Sequence, residues 1–361
     1  MGYLRQGLTF PAYGRHVKFL AGSILVSFGI LLAAGGGSWD ITNHLLNKPE
    51  TFFAPPHAIL YAGVGSSVAG AVMLVTSSRS VGTIVWPAKL ALAGVALLVS
   101  AGPIDFAWHT AFGLDGLFSP PHFVLVMGMV VSSIGGLASM AYYKGMSVRG
   151  EGRVRLHPAL IVLGILPLWL SLSGVVDMFT LPFSRTSYFD FDPDPTAAVA
   201  IASTAFPFVI AACLSGASAL SGRRFGVMSL TGAAFVATSV LTSIVPADSL
   251  HSTIPFYLLG MIPIVAADAA MSYRYWRPFA VPVYVAGAIV GLAFFMLYYP
   301  LITHTYNEFI DSGRLVWPSV TDEIYFGMMP TVYPMLVGPA IAFGILGAIV
   351  ANRLAGRNKI L

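Results

Sequence analysis

Two stretches of the chain carry the same three chemistry-bearing side chains at the same spacing. Asp40, His44 and His57 stand in "WDITNHLLNKPETFFAPPHAILYAG" (residues 39–63); Asp105, His109 and His122 stand in "IDFAWHTAFGLDGLFSPPHFVLVMG" (residues 104–128). Both read D-x3-H-x12-H. Four residues make about one helical turn, so each aspartate shares a face with the first histidine of its set. The Pro-Pro pair before the second histidine suits the opening turn of a returning helix, where a backbone N–H has no partner to lose. That histidine therefore projects from the start of one helix toward the aspartate and histidine at the end of another. Two imidazoles and a carboxylate are a ligand set for copper, zinc or non-haem iron, and the donors alone leave the metal open.

A single histidine or aspartate near a helix end is more often a hydrogen-bonded interfacial residue. Here, however, four of the eight histidines are spent on one repeated spacing, at the edge of apolar segments where ionisable groups are costly. The correspondence runs beyond the ligands. At an offset of 65, Phe53 matches Phe118, Pro55 and Pro56 match Pro120 and Pro121, Leu60 matches Leu125, Gly63 matches Gly128, and Glu50 corresponds to Asp115. The expectation is one helix-loop-helix unit used twice.

The elements that must position these residues are membrane helices. Of 361 residues, 57% are hydrophobic and 9% charged, against about 25% charged in a soluble domain. Apolar runs long enough to cross about 30 Å of hydrocarbon recur at roughly 17–38, 56–76, 85–103, 121–143, 157–178, 196–220, 225–246, 252–272, 279–300 and 329–352. The fold class expected is therefore an all-α integral membrane protein of about ten transmembrane helices. With both termini inside, all basic residues except Lys48, Arg185 and Arg314 fall on the cytoplasmic side, as the positive-inside rule asks. All acids except Glu151 and Asp268 then lie on the outer side, with both ligand sets. The net charge of +4 reflects this topology, not nucleic-acid binding. "LLAAGGG" has the small residues of a cleavage site near residue 35, but the run before it is of spanning length and reads as a helix. Cys213, the one cysteine, excludes an intramolecular disulfide and reads as packing.

The basic connection "YKGMSVRGEGRVRLHP" divides a four-helix half (1–150), which holds both ligand sets, from a six-helix half (151–361) of unassigned role. His157 there reads as interfacial. "MFTLPFSRTSYFDFDPDPTAA", with Asp177, Asp190, Asp192 and Asp194, reads as a solvated turn and helix cap. Asp248 with His251, and His304 with Glu308 and Asp311, read mainly as caps, with an accessory metal or proton-relay role as the alternative. Asp268 is either part of an intramembrane pathway or a partner of Arg274 or Arg277.

The D-x3-H-x12-H spacing, the Phe-x-Pro-Pro-His at the second arm and the nearby Trp39 and Trp108 resemble the C subunit of the copper membrane monooxygenases, the particulate methane and ammonia monooxygenase family. The likeness covers roughly residues 17–145. It implies that Asp40, His44 and His57 hold a catalytic copper and that Asp105, His109 and His122 form the partner hairpin's set. It implies further subunits in a hetero-oligomer, O2 and a small substrate such as ammonia, methane or a short hydrocarbon, and a site in the cell or intracytoplasmic membrane. Trp39, Asn43, Glu50, Trp108 and Asp115 become candidates for orienting imidazoles or carrying protons. Two departures stand out: Asp105 replaces the family's asparagine, and about six helices have no counterpart. Those extra helices keep open a membrane copper or zinc acquisition protein without redox chemistry.

Overall fold

The computed structural model describes residues 10–45, 48, 54–79, 84–113, 117–147, 157–180, 195–273, 281–294 and 333–357. All regular structure in them is helical. In chain order the α-helices are α1 (Phe10–Leu45), α2 (Pro55–Arg79), α3 (Trp86–Phe112), α4 (Pro120–Ser147), α5 (Pro158–Met178), α6 (Pro195–Ser221), α7 (Val227–Ser239), α8 (Ile254–Leu259), α9 (Met261–Ser272), α10 (Val281–Ala293) and α11 (Tyr333–Arg357). A π-helical segment, Val240–Ile244, continues α7, and a 3-10 turn, Asp248–Thr253, precedes α8.

Nine apolar stretches of these helices are long enough to cross a membrane among the described residues, and α10 adds a shorter one. Apolar side chains such as Phe106 (54% exposed) and Ile262 (62%) point outward, a surface that hydrocarbon solvates and water does not. The chain is thus a multi-pass membrane protein, with the helices lying where hydropathy places them. The segment expected at 279–300 is described as a helix only over Val281–Ala293.

The first four helices form two antiparallel pairs, α1 with α2 and α3 with α4, closed into a bundle by contacts of α1 with α4 and α2 with α3. Small residues allow the close approach. A side chain at Gly29 of α1 would stand 2.5 Å from Gly63 O and 2.7 Å from Ser67 N of α2; one at Gly94 of α3 would collide with Ser132 N and stand 2.8 Å from Gly128 O of α4. Gly94, Gly128 and Ser132 follow Gly29, Gly63 and Ser67 at the offset of 65 that separates the ligand sets. Gly36, inside the run that resembled a cleavage site, packs in the same way, with Pro56 O 2.7 Å from the position a Cβ would take.

The later helices build their own core, in which Trp169 of α5 stacks on Phe235 of α7 with ring centres 4.0 Å apart. α6, α10 and α11 pack together beside it. The two halves meet through α1 and α4, which pack on α5, and through the π-helical segment, which lies against the ligand-bearing end of α1. There Ser38 and Ser243 share a hydrogen bond of 2.5 Å, and Lys48 Nζ donates to Pro246 O at 3.0 Å. A π turn is a common means of re-aiming one helical position within a span, and here it turns Ser243 onto a residue two before Asp40.

Two acidic residues differ from expectation. Asp177 lies in the last turn of α5, between buried Val176 and Met178, and so belongs to a helix and not to a solvated turn. Asp268, fully buried in α9, caps a different helix: its Oδ2 accepts from Gly226 N and Ser229 N, both 2.9 Å, and from Ser229 Oγ at 2.8 Å. A carboxylate at a helix N-terminus satisfies orphan N–H groups and the positive end of the dipole. Arg274 and Arg277 lie outside the described residues. We expect Asp268→Asn, which keeps one acceptor but loses the charge, to cost about 1–2 kcal/mol. Thermal unfolding in detergent measures it; an unchanged midpoint would show that the cap carries no stability.

Candidate metal centre

The second hairpin brings its three predicted residues together. Asp105 Oδ1 lies 3.5 Å from His109 Nε2 and 3.3 Å from His122 Nε2. One donor atom from each of the three falls within 4.8 Å of the others. Two donors about 2.0–2.1 Å from an ion in tetrahedral geometry stand about 3.3 Å apart, so the carboxylate is already at coordination spacing from both imidazoles. The imidazole ring centres are 5.4 Å apart. All three side chains are partly buried, with exposures of 17–30%.

Local structure explains the placement. Asp105 and His109 are one turn apart on α3, and Pro103, inside the same helix, removes one backbone hydrogen bond just before them. His122 is the third residue of α4, after two prolines that need no N–H partner there, and its own N–H is 3.5 Å from the Ser119 hydroxyl that precedes the helix. Gly113 ends α3 at φ 75°, ψ −161°, a conformation that side chains disfavour. Its carbonyl lies 2.9 Å from His109 Nδ1. A carbonyl only accepts, so Nδ1 carries a proton, and Nε2 is the nitrogen that faces Asp105 and would ligate a metal there, with the carbonyl as the usual outer support of a metal-ligating histidine. We expect Gly113→Ala, by moving that carbonyl, to weaken metal binding at this set about 10-fold. A metal titration checks this, and unchanged affinity would show that the carbonyl does not set the ring.

In the first hairpin His57 Nε2 lies 3.0 Å from Asp40 Oδ1, linking the start of α2 to the end of α1. His44 sits in α1 one turn beyond Asp40, but its side chain is outside the described residues. Asp40 and Asp105 act on each other electrostatically, so both sets occupy the same end of the four-helix bundle.

The other candidates divide. Asn43 is buried one turn after Asp40. Trp108 packs against Phe112, ring centres 4.6 Å apart, in an apolar hollow with Pro103, Ile104 and Ala107. His157 caps α5, its Nδ1 accepting from Ala159 N at 3.3 Å. Asp248 and His251 stand 3.8 Å apart at an exposed site and join no third ligand among the described residues. Glu50, Asp115, Asp190, Asp192, Asp194, His304, Glu308 and Asp311 lie outside the described residues.

Sequence reading passed over Tyr61. It follows His57 by one turn on α2, its ring centre 6.1 Å from the imidazole, and its phenol interacts electrostatically with both Asp105 and Asp40. The i, i+4 spacing from His57 was the available signal. No family model matches the chain, and neither the curated proteins nor the solved structures include a match.

Proposed function

We propose that this chain is a copper-binding subunit of a membrane monooxygenase that oxidises a small substrate such as ammonia, methane or a short hydrocarbon. The observation that carries the reading is the convergence of Asp105, His109 and His122 from two helices onto one point, within a hairpin whose motif resembles that family's. Asp105, His109 and His122 would hold one ion, and Asp40, His44 and His57 another. Copper bound there would supply redox chemistry toward O2, one oxygen atom entering a C–H or N–H bond of the substrate and the other leaving as water.

The chain's own residues prepare such a site. Asp105 offers negative charge where hydrocarbon would otherwise oppose a cation. The Gly113 carbonyl fixes the tautomer that presents His109 Nε2. Helices α1 to α4 hold the donors at one end of a close-packed bundle. The two electrons per turnover come from outside, since the chain has no flavin or haem motif, which is why further subunits belong to the reading.

A copper or zinc transporter is the competing function. A transporter typically keeps its site near the bilayer midplane, whereas Asp105, His109 and His122 lie at helix ends and buried Asp268 is committed to capping α7, which favours the oxygenase reading. The test is elemental analysis with EPR on the full chain in lipid nanodiscs, followed by O2-dependent substrate oxidation with its partner subunits present. Stoichiometric copper with nitrogen hyperfine structure and oxidation would support the reading. Zinc alone, or metal uptake into vesicles with no oxidation, would overturn it in favour of transport.

A further inference from the structure

The last three turns of α1 are gripped from two sides. Gly36 and Asp40 share the face that meets α2: Pro56 O lies 2.7 Å from the position a Cβ would take at Gly36, and Asp40 reaches His57. Ser38 lies two residues, about 200° around the helix, from either. That opposite face carries Gly35, Ser38 and Thr42 and meets the π-helical segment. A Cβ at Gly35 would stand 3.1 Å from Thr242 Cγ2, and Ser38 shares its hydrogen bond with Ser243. Thr42, buried on the same face, donates to Ser38 O at 2.9 Å. Beyond the helix end, Lys48 N donates to Asn43 O at 2.9 Å, and Lys48 Nζ to Pro246 O at 3.0 Å. Asp40 and His44 thus lie between two ties to the second half of the chain. The second hairpin has no such backing. At the offset of 65, Gly35, Ser38, Thr42 and Lys48 become Ser100, Pro103, Ala107 and Gly113. Ser100, Pro103 and Ala107 are exposed, and the last two line the apolar hollow beside Trp108.

We propose that the π-helical segment is a clasp for the first ligand set, and that Ser243 is a positioning residue within it. Holding α1 at Ser38 and at Lys48, the clasp presses the turn that carries Asp40 and His44 against the start of α2, where His57 stands. Helix ends fray at little cost in free energy, and donors on a fraying end do not keep their distance from a donor on another helix. The clasp removes that freedom before any ion arrives, so the second half of the chain contributes to binding without supplying a ligand. Loss of a group that holds a ligand in place costs about 10–100-fold in metal affinity. If the contact only joins the two halves, breaking it lowers the thermal midpoint and leaves the first set's affinity and spectrum unchanged.

The inference rests on the first set binding metal, and the experiment separates the two claims. Co2+ is titrated into the full chain in nanodiscs with His122→Ala as background, so that visible absorption reads the first set; a His57→Ala background reads the second. Adding Ser243→Ala with Lys48→Met, which removes both ties, is expected to weaken Co2+ at the first set about 10-fold and to shift its d–d bands, while the second set keeps its affinity. Amide hydrogen exchange in the metal-free protein should quicken over 38–45 and not over 103–110. An unchanged first set, unchanged exchange over 38–45, or an equal loss at both sets overturns the positioning role while the metal site stands. Should the His122→Ala background show no Co2+ signal that adding His57→Ala removes, the metal reading of the first set fails and the positioning role with it.

Discussion

His122→Ala is expected to lose metal at the second set by at least about 100-fold in affinity while keeping the fold. The remaining donors, Asp105 and His109, sit on one helix one turn apart, and a two-donor chelate on a single helix has nothing to close it from the facing side. Loss of a mere supporting residue already costs 10–100-fold, so loss of a ligand from the opposite helix sets the lower bound there. The fold should survive because α4 begins on Ser119, Pro120 and Pro121 and packs through Gly128 and Ser132; none of those depends on the imidazole. Linkage makes the effect measurable without activity. At free metal 100 times the wild-type dissociation constant, binding stabilises the folded chain by about 2.7 kcal/mol. For a 100-fold weaker variant at the same concentration, the same relation leaves about 0.4 kcal/mol. In a His57→Ala background, where only the second set is read, the metal-induced rise in the thermal midpoint should therefore nearly vanish when His122→Ala is added. An undiminished rise would place the ion elsewhere.

What made this site legible was that both of its spacings are helical. Asp105 and His109 share a face because a helix turns in 3.6 residues, and His122 returns to them because Pro-Pro starts a helix. Hydropathy placed the spans for a similar reason: each is decided by its own residues. Features that depend on distant parts of the chain were not legible. Asp268 reads as a pathway residue or as a partner of Arg274 or Arg277 until Gly226 and Ser229, some forty positions earlier, are seen to donate to it. The span expected at 225–246 ends in a π turn whose Ser243 meets Ser38 of α1, and the next divides at Gly260 between α8 and α9. Hydropathy averages over a window and records neither break. Tyr61 lay between these cases: its spacing from His57 was visible in the sequence, but the electrostatic influence of Asp105 on it required knowing that α2 packs on α3.

The packing of the ligand-bearing helices yields the other large effect. Stretches rich in glycine, alanine and serine mark close helix approach in general, but not which glycine is essential; the backbone contacts decide that. Gly94→Ala is expected to destabilise the chain by about 3 kcal/mol, at the upper end for overpacking, because the added methyl meets backbone atoms of Ser132 and Gly128, and backbone cannot turn aside as a side chain can. Gly102→Ala, on the same helix with nothing within 4 Å of the new Cβ, should be neutral or stabilising by up to about 1 kcal/mol, the helix-propensity gain of alanine over glycine. The pair thus changes one atom in opposite directions of stability, which no general effect of composition would do. Since α3 and α4 each carry part of the second set, forcing them apart at Gly94 should also weaken metal binding there while leaving the Asp40 and His57 pair intact; Gly29→Ala should do the reverse through α1 and α2. Midpoints for the four proteins in detergent, with metal titrations of each hairpin, would decide it. Equal midpoints for Gly94→Ala and Gly102→Ala would mean that the α3–α4 contact is looser than described, and that the donors are held by their loops and not by the helices beneath them.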